Sequence, residues 1–503
     1  ASTNGLDKVE VIEHYKNTSR LESSLAGGDQ TVVNLKYKKI GLRNFGEAQI
    51  GYAPKNNLLN AKLSNTTLSK RVKGVTLGNK NQIGFLAQKL YGLSSENSVP
   101  YNNNIQYPTR LDNITTPIAI YNIEPMNINS SRIFDNNSHL ISSNLLIKPA
   151  KKILFKNNYA FLYDNFLQNY NNTTTYLNSV ISTIVKEQSS IQKKNQYFFS
   201  EGELSLNWNK SQQTRAYYFV RNNNNQHTSN GFFQANPLQQ NIKNSTKQVN
   251  AMLTHIVILN TKSYLTINYA YQSSTSSSNY MFNNPLADTI FKITSASKQL
   301  VQNLAYYQKT HYVGATWFKK LKQANITVTY NSTFKNVVPT NDAFFINDNI
   351  TATPLPSNFL VKQQIKYSEN ELKVAVEKEF GRTFKIDVFT KIRHVQYEHG
   401  ITDNQVKDDK TIVLPSVNIG YNITTTQFVS LNGGLTLEAP RVNQLNRATF
   451  FTSINSISSG TNTVNIQRGY DVNVYYRYYD PTGKKIILNI SANYNKSPNI
   501  YNS

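Results

Sequence analysis

Lys485-Ile486-Ile487-Leu488-Asn489-Ile490-Ser491-Ala492-Asn493-Tyr494 alternates strictly from Leu488 onward. Leu488, Ile490, Ala492 and Tyr494 fall on one side, and Asn489, Ser491 and Asn493 on the other. Successive side chains of a β-strand point to opposite faces, so this period of two marks a strand with one apolar and one polar face. The pattern recurs. Ala324, Ile326, Val328 and Tyr330 alternate with Asn325, Thr327 and Thr329; Leu265, Ile267, Tyr269 and Tyr271 alternate with Thr266, Asn268 and Gln272; Leu204, Leu206 and Trp208 alternate with Ser205, Asn207 and Asn209. Phe384 to Arg393, Glu371 to Phe380, Gln427 to Leu437 and Asp471 to Tyr479 read the same way, and Thr175 to Lys186 is β-branched enough to read as a strand.

Such segments number roughly fifteen and run about ten residues each, the length that crosses a bilayer when tilted, whereas strands of soluble proteins average about five or six. Their polar partners are Asn, Ser, Thr and Lys, which suit a wet lumen. Connections are unequal. Asp480-Pro481-Thr482-Gly483 is a tight turn, while Asn97 to Asn136 and Asn222 to Gln248 read as long Asn-rich loops. Tight turns at one end and long polar loops at the other predict an all-β, antiparallel transmembrane β-barrel.

Composition agrees. Of the 503 residues 39% are hydrophobic, and the mean hydropathy of −0.49 is too polar for a bundle of membrane helices. The most apolar stretch, Met252 to Leu259, has strand length and is interrupted by Thr254 and His255. The 32 Tyr, against 2 Trp, suit both pleated sheets and membrane interfaces. Cysteine is absent, which removes disulfide-stapled modules, thiolate metal sites and cysteine nucleophiles. The net charge of +24 is dispersed; its tightest group is Lys70, Arg71 and Lys73, and no nucleic-acid-binding motif accompanies it. Anionic lipid, lipopolysaccharide or an anionic solute remain as partners for that charge. Ala1 to Leu6 lack the regions of a secretory signal, so either the signal is removed or the chain starts inside a longer protein.

Two stretches carry a family resemblance. Leu6-Asp7-Lys8-Val9-Glu10-Val11-Ile12-Glu13, then Arg20 to Gln30 with its small-residue bend at Gly27-Gly28-Asp29, then Val32-Val33-Asn34-Leu35-Lys36-Tyr37-Lys38, resemble the end of a plug domain. Phe45 to Tyr52 resembles the first barrel strand that follows it. Late in the chain, Glu438-Ala439-Pro440-Arg441-Val442-Asn443-Gln444-Leu445 resembles a Pro-x-x-x-x-Leu loop, with a strand pair like Tyr470 to Asn495 behind it. The family is that of TonB-dependent outer-membrane receptors of Bacteroidota. The resemblance implies that residues 1–38 end a plug and that residues 39–503 form a barrel. It implies import of a solute by TonB-coupled transport without covalent chemistry. Its partners would be outer-membrane lipid and lipopolysaccharide, a TonB-type energy-coupling protein and a surface lipoprotein. Barrels of that family close with about 22 strands, and Asn499 to Ser503 is no barrel-closing strand ending in an aromatic, so the expectation is a partial barrel.

No catalytic, cofactor or metal residue is assigned, and the substrate-binding residues are unknown. Of the histidines His14, His139, His227, His255, His311, His394 and His399, only His394 and His399, with Glu398 between, approach a ligand cluster. Five apart on a strand, they face opposite ways. His255 is expected to face the lumen or to be packed. Phosphate-binding glycine loops are missing, and Gly433-Gly434 fits a close strand approach better. The rival readings are a passive porin or adhesin barrel and, more remotely, a barrel hydrolase.

Overall fold

The computed structural model describes residues 6–12, 32–37, 43–54, 58–82, 118, 135–177, 182–233, 236–283, 297–347, 352–381, 383–401, 404–438, 445, 448–453, 456–459, 466–479 and 487–496. Among them there is no α-helix, and no helix is long and apolar enough to cross a membrane.

Leu6–Ile12 (β1) and Val32–Tyr37 (β2) pair antiparallel as a separate two-stranded sheet, with Val9 opposite Leu35 and Val11 opposite Val33. The barrel begins with Arg43–Ala53 (β3), Leu58–Leu68 (β4), Val72–Asn81 (β5) and Asp135–Ala150 (β6). Seven tall strands follow: Ile153–Leu177 (β7), Ser182–Asn207 (β8), Gln212–Phe233 (β9), Asn236–Asn260 (β10), Ser263–Phe282 (β11), Ser297–Lys320 (β12) and Ala324–Asn347 (β13). Ala352–Pro354 (β14) and Val361–Lys362 (β15) are short pieces on the rim of β13. Gln364–Phe380 (β16), Phe384–Ile401 (β17), Asn404–Asn422 (β18) and Gln427–Glu438 (β19) continue the wall. Thr449–Ser453 (β20) and Ser456–Ser459 (β21) form a small hairpin outside the barrel sheet, and Gln467–Tyr479 (β22) and Ile487–Lys496 (β23) complete the wall.

The sheet is closed, β23 lying beside β3 and β9 beside β10. Apart from the two rim pieces it has seventeen strands, so the described residues hold slightly more strands than the alternation reveals. Every described register between successive strands from β3 to β23 is antiparallel. The sixteen steps are an even number, so β3 and β23 run in the same direction where they meet.

The wall is uneven, and this corrects two expectations. β7 to β13 are 20–26 residues long, not about ten. The stretch Asn222 to Gln248, expected as a loop, contains the paired ends of β9 and β10, with Asn225 opposite Asn244 and Asn223 opposite Thr246. The physical reason is that both faces are polar there. Without an apolar face the period-two signal vanishes, while the backbone ladder continues and side chains bond across it, as Ser245 Oγ does in donating to Asn224 Oδ1 at 2.8 Å. Thr175 to Lys186 is likewise not one strand. It holds the end of β7 and the start of β8, with Leu177 opposite Ser182. Glu371 to Phe380 and Phe384 to Arg393 are strands as expected, each part of a longer one (β16 and β17), and the two pair about a turn in which Gly381 takes φ +66°, a conformation that glycine adopts without steric cost. Asn97 to Asn136 lies almost wholly outside the described residues, as do Gly27 to Asp29 and Asp480 to Gly483.

Candidate solute pathway and its outer mouth

Cross-strand partners share a face, so each register can be followed around the wall. Ile267 faces Ala315, then Tyr330, Leu372, Ile392 and Val413. Except for Ala315, these large apolar side chains are 39–47% exposed. Adjacent rows add Leu253, Tyr269 and Val313 above, and Val376, Val388, Val472 and Tyr494 below, all exposed. Together they make an apolar belt. The alternate face of the same strands is buried and polar: on β11 it carries Gln272, Ser274, Ser276 and Ser278. In a closed sheet the buried face is the enclosed one, so the belt lies outside and the polar rows line the lumen.

The belt occupies one end of the tall strands. On β11 it ends at Tyr271, and Ser273, Thr275, Ser277 and Asn279 continue the outer face. A tilted strand of about 24 residues reaches roughly 60 Å against an apolar band of about 25 Å, which leaves a wall of about 35 Å beyond the belt. His311 sits at the boundary, its Nδ1 3.1 Å from the Tyr269 hydroxyl and its ring 5.1 Å from that of Tyr271. Amphipathic rings favour such an edge.

Inside the mouth the chain folds on itself. Phe451 of β20 packs on Phe282 and Phe359 with ring centroids 5.3 and 5.6 Å away, and these belong to one buried cluster with Tyr280, Leu300, Leu304 and Phe345. Gln302 on the barrel wall receives the Phe451 N–H on Oε1 at 2.8 Å and donates from Nε2 to the Phe451 carbonyl at 3.1 Å. Asn341 Nδ2 donates to the carbonyls of Phe359 and Thr449 at 2.6 and 3.1 Å. Leu445, the last residue of the Pro440 to Leu445 motif, is fully buried among Val337, Ile365, Val395, Tyr397, Ile412 and Leu414, and its carbonyl accepts from Gln363 Nε2 at 3.1 Å. Lys410 Nζ donates to the Ile466 carbonyl at 2.7 Å. Pro440 itself lies outside the described residues.

A charged cluster lies on the lumen side. Arg393 reaches Glu369 Oε1 from Nε at 3.0 Å and Glu371 Oε2 from Nη2 at 2.5 Å, and all three side chains are 11–20% exposed. Glu369 also accepts from the Tyr367 hydroxyl. Higher on β8 and β9, beyond the belt, burial lowers the Lys193 ammonium to about 8. Burial, and then the Lys193 charge, lower the neighbouring His227 imidazole to about 3. His227 Nε2 lies 3.0 Å from Asn195 Oδ1, which fits a neutral ring donating there.

No protein-family model matches the chain, and no curated protein matches its sequence. Among solved structures, the ferric yersiniabactin uptake receptor FyuA from Yersinia pestis aligns over 97% of this chain and 83% of its own at 8% identity, with a TM-score of 0.36. The RagAB peptide transporter aligns over 90% and 70% at 8% identity, with a TM-score of 0.37. The alcaligin outer-membrane receptor FauA from Bordetella pertussis aligns over 98% and 80% at 8% identity, with a TM-score of 0.33.

The histidines do not gather. His394 faces outward and lies 3.0 Å from Thr411 Oγ1, whereas His399 is fully buried on the lumen side, so the two point apart as their spacing requires. Of the two places expected for His255, the structure excludes the lumen and leaves it half-buried in the wall. It shares the belt face with Ile267, its Nδ1 2.9 Å from Thr214 Oγ1, while Ile256 beside it takes the buried place. His14 lies outside the described residues. The clamps Gln302, Gln363 and Asn341 are unmarked in the sequence. A glutamine on a strand resembles any lumen-lining polar residue until the loop that it holds is placed against it.

Proposed function

We propose that this chain is the barrel of an outer-membrane receptor-transporter, and that a solute enters past a mouth held closed by the chain's own β20–β21 hairpin. The observation that carries the reading is the combination of an outer apolar belt with loop residues clamped to the inner wall at the mouth. A belt of exposed Leu, Ile, Val and Tyr costs free energy in water and is stabilised in hydrocarbon. Phe451 and Leu445 held against the inner wall at the mouth favour a gated importer over an open pore.

The resemblance of Leu6 to Tyr52 supports a finer statement. Residues 1–38 end a plug, residues 39–503 form the barrel, and a TonB-type protein supplies the energy through the plug. A surface lipoprotein is a further partner that the resemblance implies. The chemistry is binding and displacement, with no covalent step.

Uptake tests this. Cells carrying the intact gene, and cells lacking it, are given labelled ferric chelates, peptides and oligosaccharides, with and without a protonophore. The reading expects one class to accumulate only in cells with the gene and only without the protonophore. Gene-dependent entry that ignores the protonophore makes the barrel a passive porin.

A further inference from the structure

Thr316, Thr329, Lys373, Lys391 and Leu414 form one cross-strand row from β12 to β18. On β16 and β17 the next row on the same face is Glu371 opposite Arg393, so these side chains line the lumen. Their outward neighbours Leu372, Val374 and Ile392 are exposed members of the belt, which sets the row at belt depth. Leu414 also belongs to the cluster that buries Leu445, and on β17 the cluster members Val395 and Tyr397 stand mouthward of Lys391. The row therefore lies at the foot of the seal formed at the mouth.

Lys373 and Lys391 stand directly opposite each other, where cross-strand Cβ atoms are about 5 Å apart. Both lean on one ring, with Lys373 Nζ 4.4 Å and Lys391 Nζ 5.6 Å from the centre of Phe389. Neither lysine makes an ion pair or hydrogen bond among the described residues, and both are half-buried. The two carboxylates whose fields reach Lys373 are engaged elsewhere, Glu371 with Arg393 and Asp387 with Asn418, whose Nδ2 donates to it at 3.3 Å. Lys385, further down the same face, is by contrast paired with Glu377. Like charges directly opposite destabilise a sheet. The Phe389 face offsets only part of that.

An anion seated between the two ammonium groups removes their repulsion and turns both into charge-assisted contacts. Hydroxyl groups border the pair, Thr329 opposite Lys373 and Ser416 opposite Phe389. Lysines facing a lumen are a general means of selecting anions. We propose that Lys373 and Lys391 form an anion-binding station at belt depth. It takes a doubly charged oxyanion, a phosphate ester or paired carboxylates, carried by the imported solute once that solute has passed Leu445. The inference rests on the proposed importer and deepens it, since it makes the solute anionic and places a selective contact beyond the mouth. A neutral solute gains nothing at this pair, and a cation is repelled.

The test uses the full chain in phosphatidylcholine vesicles, with inorganic phosphate as the probe and potassium chloride at equal ionic strength beside it. A water-soluble acylating reagent labels accessible amines, and mass spectrometry reads each lysine. Phosphate is expected to slow labelling of Lys373 and Lys391 and to leave Lys385 unchanged. In Lys391→Gln the protection of Lys373 falls about tenfold, because one of two charge-assisted contacts is gone. Lys391→Arg keeps it. Urea unfolding gives a second readout: phosphate raises the midpoint of the parent and of Lys391→Arg more than that of Lys391→Gln. Protection that chloride matches, that extends to Lys385, or that persists undiminished in Lys391→Gln overturns the site. Lysines that resist acylation before phosphate is added are covered by an acid of the chain itself, which overturns the solute as the source. Protein that inserts and shows no protection defeats this inference alone; protein that fails to insert defeats the barrel reading beneath it.

Discussion

Gln302 and Phe451, 149 residues apart, are joined by two hydrogen bonds through which a side-chain amide on the barrel wall pairs with the backbone of a loop residue as a neighbouring strand would. Both bonds are buried, and the Phe451 ring is wedged against Phe282 and Phe359. A buried backbone group left without its partner costs about 1–3 kcal/mol. Gln302→Leu strands both groups of Phe451 and is expected to loosen the hairpin by roughly 2–6 kcal/mol without unfolding the barrel. Conductance across planar bilayers reads this. The variant opens a pore more often than the parent, and equal conductance sets the clamp aside.

Leu431 and Asn432 are neighbours on β19 that face opposite ways, Leu431 with Val474 on the belt and Asn432 with Asn473 inside. Leu431→Arg places a charge against hydrocarbon, at a cost of about 2–4 kcal/mol near the midplane. Asn432→Arg keeps its head in the wet lumen and is expected to cost under about 1 kcal/mol. Urea unfolding of the barrel in vesicles compares the two, and equal costs contradict the assigned faces.

Arg393 holds Glu369 and Glu371 together on the lumen side. Removing one partner of a buried cluster leaves the other charges uncompensated, at a cost of about 3–5 kcal/mol. Arg393→Leu is therefore expected to destabilise the barrel by that order. Arg393→Leu combined with Glu369→Gln and Glu371→Gln recovers much of the loss. The same unfolding series measures both.

His227 makes stability depend on acidity. Its folded value lies near 3, below the ordinary 6.5, because burial and then Lys193 disfavour the charged ring. Between those values the unfolded chain binds a proton that the folded chain refuses, so stability falls as pH drops from about 6.5 towards 3. His227→Gln is expected to flatten that slope. Urea midpoints at pH 7, 5.5 and 4 decide it, and parallel slopes in parent and variant contradict the assignment.

Strands with one dry face were legible from their alternation, as Ile487–Lys496 and Phe384 to Arg393 illustrate. Where both faces are wet, as at Asn222 to Gln248, alternation carries no information, and hydrogen bonds alone make the strand. The split between β7 and β8 inside Thr175 to Lys186 was hidden for a related reason, since β-branched residues continue through the reversal. The mouth escaped the sequence because its partners are far apart: Gln302 with Phe451, Gln363 with Leu445 and Asn341 with Thr449 are meetings made only by the closed wall.

The central claim is that the alternation sorts side chains between hydrocarbon and a polar lumen. The chain has no cysteine, so single cysteines can be placed at will. Spin labels at Ile392, Tyr330 and Leu431, and at the lumen-facing Asn432, Asn473 and Lys391, are compared for collision with oxygen and with a polar nickel chelate in reconstituted vesicles. The account predicts that the first three meet oxygen and exclude nickel, and that the second three do the reverse. Equal nickel access at both sets would contradict it.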